Sequence, residues 1–376
     1  MLKNLFKNYI YPVATLAGSI IGVGFLSLPY ITLKVGIWPM LFYFIALTAL
    51  VIFIHVIFGE ISLKTPDYKR FPGFVGFYLG RWPQIITLII MILGSFGVLL
   101  VYLIVGGQFL AAILNPFFGG NILVYVFLYF SAGSALVYFG IKIISKAEFC
   151  AIVLLLIALF VIFLKGFSHI KLGNIFFNNI FSLGDWKTMF LPYGAIIFSL
   201  WGVGLIPEIE EMLIGNKKLL KKIIIISVLI SAVIYMLFIF LILGISGVQT
   251  TESALTGLKS FLGQGAFLIA LFVGFITTST AFIAQGLLLK KTFIYDMGIN
   301  EFPAWILTCF IPFILFLLGF NSFIPLISFI GGVFLGINGI LILLIYKKIG
   351  GRKIIIYPLM LIFVLGIIYE IIYFVK

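Results

Sequence analysis

The sequence predicts an all-α polytopic membrane protein: eleven transmembrane helices, five plus five in inverted repeat and one more at the end, with helices 1 and 6 discontinuous. Three observations carry this. The 376 residues are 64% hydrophobic and 9% charged, with a mean hydropathy of +1.32, whereas a soluble domain is about 25% charged. Lysine and arginine alternate between loop-rich and loop-poor sides when the apolar segments are counted. A short glycine motif occurs twice, five segments apart.

A helix needs roughly 20 apolar residues to cross about 30 Å of hydrocarbon. Runs of that size fall at 9–33, 36–62, 84–114, 121–139, 146–165, 188–207, 223–246, 264–289, 303–319, 322–345 and 354–375. The first contains GSIIGVGFLSLP at 18–29, in which three glycines and a proline weaken a helix that has to span. The second carries two ionisable groups, His55 and Glu60. After it, the basic stretch KTPDYKRFPGFVGFYLGRWP at 64–83 alternates cations with aromatics; it fits either a short interfacial helix or a plain basic loop. The third span is long enough to tilt strongly. The fifth has no charge between 149 and 163, with Lys146 at its end. The longest stretch without a span is about 166–188, which leaves no room for a soluble domain. Glu208, Glu210 and Glu211 follow the sixth span and are expected to face neighbouring lysines. The eighth holds four consecutive hydroxyls, Thr277 to Thr280, in ITTSTAFIAQG.

Placing the N-terminus in the cytoplasm and alternating puts eighteen cations on the inner segments and six on the outer ones. Positive residues are retained inside, so the expected location is the cell (inner, cytoplasmic) membrane, multi-pass, with a cytoplasmic N-terminus and an extracytoplasmic C-terminus. This accounts for the net charge of +13 without nucleic acid as a partner; membrane lipid and a small molecule are the expected ones. The opening MLKNLFKNY is not read as a secretory signal, because its apolar run continues as a span with no small-residue cleavage site. Cys150 and Cys309 make neither a disulfide framework nor a metal site and are expected to be buried and structural.

Residues 19–24 read SIIGVG and residues 199–204 read SLWGVG, each followed by a proline, Pro29 or Pro207. An offset of five spans inverts the topology, so the chain divides into a first repeat (9–165), an inverted second repeat (188–345) and an additional helix (354–375) within one transmembrane domain. Paired interrupted helices in inverted halves are the signature of a secondary transporter. Irregular backbone at membrane depth persists only where protein buries it or a cavity wets it. Half-helix N-termini suit a carboxylate and freed carbonyls suit an ammonium, so an amino-acid zwitterion matches both. Close helix packing would also use glycine, but it requires neither the paired prolines nor the inverted placement.

GSIIGVGFLSLPY (18–30), FGEISLKTP (58–66) and FSLWGVGLIPEIEE (198–211) resemble the first, second and sixth helices of amino-acid permeases of the amino acid–polyamine–organocation superfamily. The amino acid/auxin and the aromatic (tryptophan/tyrosine) permease branches are the most similar, and the resemblance covers essentially the whole chain. It implies a LeuT-like fold and a substrate site between helices 1, 3, 6 and 8. The substrate carboxylate would meet backbone N–H groups around Ser19, Gly22 and Gly24 and its ammonium carbonyls near Phe198 and Ser199, with Ile20 and Gly202 also at the site. Tyr102, Phe198 and Trp201 would line the side-chain pocket. The fold also implies a Na+ site between helices 1 and 8, with carbonyls of Gly18, Ile21 and Phe275 and hydroxyls of Thr278 and Ser279; hard cations take oxygen ligands. Those hydroxyls are equally able to bond their own helix carbonyls. Proton coupling through His55 and Glu60 is the other route, with Glu60 also readable as an interfacial residue paired to a lysine.

The expected function is therefore secondary active transport of amino acids, aromatic or large neutral, coupled to Na+ or H+, with no other cofactor. The alternatives are a non-transporting amino-acid sensor on the same fold, or an uncoupled exchanger of another small amine. An enzyme is disfavoured, since His55 and His169 are far apart and no nucleophile–base or metal-ligand spacing occurs. Oligomeric state is not encoded in any motif.

Overall fold

The computed structural model describes residues 9–66, 69–140, 144–176, 189–213 and 216–375, with the side chains of 144–149, 152 and 375 left aside. Lys3, Lys7, Lys142, Lys187 and Lys376 of the cation pattern, and the side chain of Lys146, lie outside this description.

Sixteen α-helices are assigned among these residues: α1 (Tyr11–Ile20), α2 (Leu28–Val35), α3 (Ile37–Lys64), α4 (Phe71–Leu79), α5 (Arg81–Phe118), α6 (Ile122–Phe139), α7 (Ile144–Gly166) and α8 (Leu172–Ile175). The second half continues with α9 (Leu191–Leu200), α10 (Ile206–Met212), α11 (Leu220–Ser246), α12 (Gln264–Tyr295), α13 (Glu301–Leu317), α14 (Phe323–Phe329), α15 (Gly336–Lys348) and α16 (Lys353–Val375). Helix therefore occupies each predicted segment. Eight stretches are long and apolar enough to cross a membrane, and the pair Tyr11–Ile20 and Gly24–Val35, bent by 51°, makes a ninth. Val153–His169 and Glu301–Leu317, at the predicted fifth and ninth spans, are apolar but shorter.

The prolines take a different part from the one the sequence suggests. Pro29 and Pro207 do not end a helix; each sits in the first turn of the second half-helix, α2 or α10. Proline has no N–H to lose there and its fixed φ suits a helix start. The glycines interrupt and the prolines restart.

The broken helices sit inside the bundle. The pair α1–α2 packs on α11, while α9 packs on α3, on α14 and on the π-helical turn Ile330–Leu335 that joins α14 to α15. A second group forms where α5 packs on α6 and α12, with α7 and α13 against α12. Large apolar side chains such as Trp38, Phe42, Ile45, Phe160 and Leu361 are exposed on the outside, the face a lipid-embedded bundle turns to hydrocarbon. Cys309 is buried as expected, but Cys150, near the start of α7, is exposed. The 64–83 stretch does form a helix, α4, whose Phe74 and Val75 are fully buried. The loop 247–263 folds inward although no motif announces it: Ala254, Leu255, Leu258 and Leu262 are buried, and Ala254 takes a positive φ of 56° to make the turn.

Candidate functional site

At the end of α1 the helical pattern fails. The Gly22 N–H turns back to the Ile20 carbonyl (2.8 Å) rather than reaching Gly18 four residues earlier. A 3-10 turn, Gly24–Ser27, then leads into α2. The sixth span breaks in the same way: α9 stops at Leu200, Trp201 is extended (ψ 120°), and a 3-10 turn Val203–Leu205 precedes α10. The two breaks touch. A Cβ on Gly24 would fall 2.6 Å from the Phe198 ring and 2.8 Å from Ser199 Oγ, and one on Gly202 would fall 2.6 Å from Ile20 Cγ1. Glycine is required at both places because the two interrupted backbones close on each other.

Two side chains hold this junction. His55, fully buried on α3, has Nε2 2.8 Å from the Gly202 nitrogen and Nδ1 2.8 Å from the Val51 carbonyl. The Gly202 N–H can only donate, so Nε2 accepts and Nδ1 carries the proton it gives to Val51. This is the neutral imidazole. Its ring also meets Trp201 edge-on, with centroids 5.5 Å apart. From the other side, the buried Tyr235 hydroxyl on α11 lies 2.7 Å from the Ile20 carbonyl and 2.9 Å from the Ser199 carbonyl. The phenol thus bridges the two breaks, within donating reach of one carbonyl from each. The ring stacks on Phe25 at 5.2 Å. Ser227 and Ser231, two turns and one turn earlier on the same face of α11, reach the Val13 and Ala17 carbonyls of α1 at 3.3 and 3.5 Å. The Gly202 N–H and the Ser199 carbonyl, at the interrupted end of α9, find partners in this way.

What is left open is a short wall of polar backbone and aromatic surface. Ser19 and Gly204 are exposed, and Gly22, Tyr102, Phe198 and Trp201 are half-buried, in spans whose other residues are mostly enclosed. The atom nearest to a Cβ on Gly22 would be the Tyr102 hydroxyl, at 3.6 Å, and a Cβ on Gly204 would meet nothing within 4 Å. The structure therefore brings together Ser19, Ile20, Gly22, Gly24, Tyr102, Phe198, Ser199, Trp201 and Gly202, all expected around the breaks. The Ser199 carbonyl lies 2.9 Å from the Tyr235 hydroxyl and keeps a second lone pair.

The expected ion ligands are arranged differently. Thr278 Oγ1 bonds the Gly274 carbonyl and Ser279 Oγ the Phe275 carbonyl, each at 2.7 Å within α12. Thr277 and Thr280 likewise bond their own helix. Gly18 lies in the last turn of α1 and Ile21 directly follows it, both buried. Glu60 lies at the end of α3 and pairs with Lys64 at 2.7 Å, both side chains about half exposed. Glu210 is buried against the Ser62 hydroxyl and takes Lys217 at 2.7 Å. This cluster ties α10 to α3 and to the start of α11, and it matches the expectation of acidic residues facing neighbouring lysines.

The sequence reading passed over two residues that the fold makes conspicuous. Tyr235 is one of 17 tyrosines, and nothing local sets it apart. Glu370 is the single acidic residue of the last span, and that was a usable signal. It is 1% exposed although its helix is the least enclosed of the long spans, with 28% of the window buried.

The comparisons agree with this geometry. The model of the tryptophan/tyrosine permease family matches residues 7–357. A comparison with curated proteins finds no match. Among solved structures, the fold resembles MhsT, crystallised in complex with L-phenylalanine, with a TM-score of 0.58 at 15% identity over 97% of each chain; the fold is thus LeuT-like. A family model matched over nearly the whole chain, on a fold with two interrupted helices, places this protein in the tryptophan/tyrosine permease family of amino-acid transporters.

Proposed function

We propose that the chain carries an aromatic or large neutral amino acid by alternating access, in a cell membrane with its N-terminus inside, drawing on a Na+ or H+ gradient. The observation that carries the substrate class is the open wall itself: interrupted backbone at Gly22 and Gly204 beside Tyr102, Phe198 and Trp201. Peptide dipoles there suit the α-carboxylate and α-ammonium, and the half-buried rings suit an apolar or aromatic side chain. A basic substrate finds no carboxylate at the breaks. The fold is shared with a protein crystallised with L-phenylalanine, which supports the same class.

The test is a thermal-shift screen of the twenty amino acids, followed by uptake into proteoliposomes under imposed gradients. Stabilisation by tryptophan, tyrosine or phenylalanine, and gradient-driven accumulation of the same compound, are expected. Stabilisation only by charged amino acids would overturn the substrate class, and binding without flux would overturn transport.

Sodium coupling rests on Gly18, Ile21, Phe275, Thr278 and Ser279. The helix-internal bonds of Thr278 and Ser279 would have to re-aim for them to ligate an ion. If they do, Thr278→Val with Ser279→Ala is expected to remove at least 10-fold of any Na+ stimulation of uptake. Unchanged Na+ activation would move the ion elsewhere.

Proton coupling through His55 or Glu60 is less well supported. His55 has both nitrogens engaged at the break, and Glu60 sits in an ordinary surface ion pair with Lys64.

A further inference from the structure

Near its C-terminal end, α16 carries a carboxylic acid into a part of the bundle that offers it no counter-charge. The oxygens of Glu370 meet no side-chain donor, and the nearby Tyr193 and Ser328 hydroxyls are likewise buried without partners. The packing is close on every side. A Cβ on Gly194 would fall 2.5 Å from Glu370 Oε1 and 2.2 Å from the Ser328 carbonyl; a Cβ on Gly332 would fall 2.2 Å from Glu370 Cγ. One turn before Glu370, the Tyr193 hydroxyl lies 2.2 Å from the Cβ position of Gly366. Three elements thus meet at this acid: the first turns of α9, the turn 328–332 and α16.

The third of these is itself irregular. Residues Ile330–Leu335 form a π-helical turn, a feature seldom seen and frequent at functional sites. A Cβ on its Gly331 would fall 1.9 Å from the Gly194 carbonyl and 2.9 Å from the Phe198 nitrogen. The turn therefore runs along α9 from the acid to the aromatic residue at the break.

We propose that Glu370 is a proton-binding site of the transport cycle: protonated in the arrangement seen here, it allows α9 to lie against the π turn and α16, and loss of its proton to water separates them. An unpaired carboxylate buried in apolar surroundings is far costlier than the neutral acid, and ionisable groups inside a span are functional candidates by default. The groups that face it do not change this. Tyr193 is the only titratable residue on α9, and α14 with the π turn contributes none. On α16 itself, Tyr369 and Tyr373 flank it. The lysines of α15 stand at its far end, with Lys347 over Tyr357. The link to flux is α9, which leads in four residues from Gly194 to Phe198. This inference rests on the transporter reading and names the residue through which protons would act on it.

The experiment joins infrared spectroscopy of the reconstituted protein to transport. The wild type at neutral pH is expected to show a carbonyl-stretch band of a buried protonated carboxyl. Glu370→Gln should lack that band, and amino-acid substrate should shift or remove it in the wild type. Glu370→Gln is expected to bind and exchange amino acid within about 3-fold of wild type while losing at least 10-fold of pH-gradient-driven accumulation. Glu370→Asp should recover part of the accumulation. Absence of the band in the wild type, a band indifferent to substrate, or full pH-driven uptake in Glu370→Gln would each overturn the proposal. The band at neutral pH is read without transport, so failure of the substrate assignment shows separately, as absent amino-acid binding in a wild type that still carries the protonated acid.

Discussion

Gly22→Leu is expected to abolish amino-acid uptake and ligand-induced stabilisation while the protein inserts and folds. The first break leaves a free volume at this position: the nearest atom to an added Cβ is the Tyr102 hydroxyl, at 3.6 Å, an ordinary van der Waals distance. A Cβ is therefore accommodated at Gly22, and the outer carbons of leucine would compete with the substrate for the surroundings of the Tyr102 hydroxyl. A loss of ~100-fold in affinity or more, ~2.8 kcal/mol, would follow if that space holds the substrate. Uptake near the wild-type rate would show that the first break is packing only. Gly24→Ala is a useful companion, because its Cβ would fall 2.6 Å from the Phe198 ring; it should damage the fit of the two breaks and so lower stability, which Gly22→Leu should not.

The second large effect is expected at His55. Replacement by leucine keeps much of the volume but leaves the Gly202 N–H buried without its acceptor. An orphaned buried donor costs about 1–3 kcal/mol, so the unfolding midpoint in detergent should fall by several degrees. Because Gly202 lies in the break beside Trp201, amino-acid affinity should fall as well. Glutamine, whose amide oxygen can accept from the same N–H, is expected to recover a large part of both. If His55→Leu matched the wild type in midpoint and affinity, the histidine would not be what positions the sixth-helix break. A residue acting only as a proton carrier would give another pattern: an altered pH profile with stability unchanged.

Much of this architecture was legible before any coordinates. The span limits read from hydropathy reappear within a few residues in α3, α5, α12 and α16, because an apolar run of fixed length is a local property that the bilayer dictates. The positions of both breaks were legible too, since SIIGVG and SLWGVG put glycine where a spanning helix is weakest. The prolines were legible as markers but not as starts of α2 and α10: that distinction depends on which side of the glycines the helix resumes. The loop 247–263 was not foreseen. Its leucines turn inward only because α11 and α12 leave a gap for them, and a gap has no sequence of its own.

The candidate site divides along the same line. Residues adjacent to a break were found by adjacency alone. Their partners were not: Tyr235 and His55 come from helices separated in sequence from the breaks they serve, and a hydroxyl or imidazole in an apolar span carries no mark of which carbonyl or N–H it will meet. The sequence marks His55 only as an ionisable group in a span, a candidate for proton coupling; the Gly202 N–H that its Nε2 accepts is visible only in the fold. The hydroxyl run at 277–280 drew attention as ion ligands, but each finds a carbonyl in its own helix, a bond that needs no tertiary partner.

By itself, then, the sequence determined that the chain spans a membrane many times, roughly where the long apolar helices lie, and that the first and sixth would be interrupted. These follow from hydropathy and backbone propensity, which act over one helix length. Only the tertiary structure decided how the interruptions are held: which carbonyls Tyr235 occupies, which N–H His55 accepts, and that Glu370 is enclosed between α9, the π turn and α16. Those outcomes depend on helices distant in sequence closing to within hydrogen-bond distance, and that closeness is a property of the packed bundle.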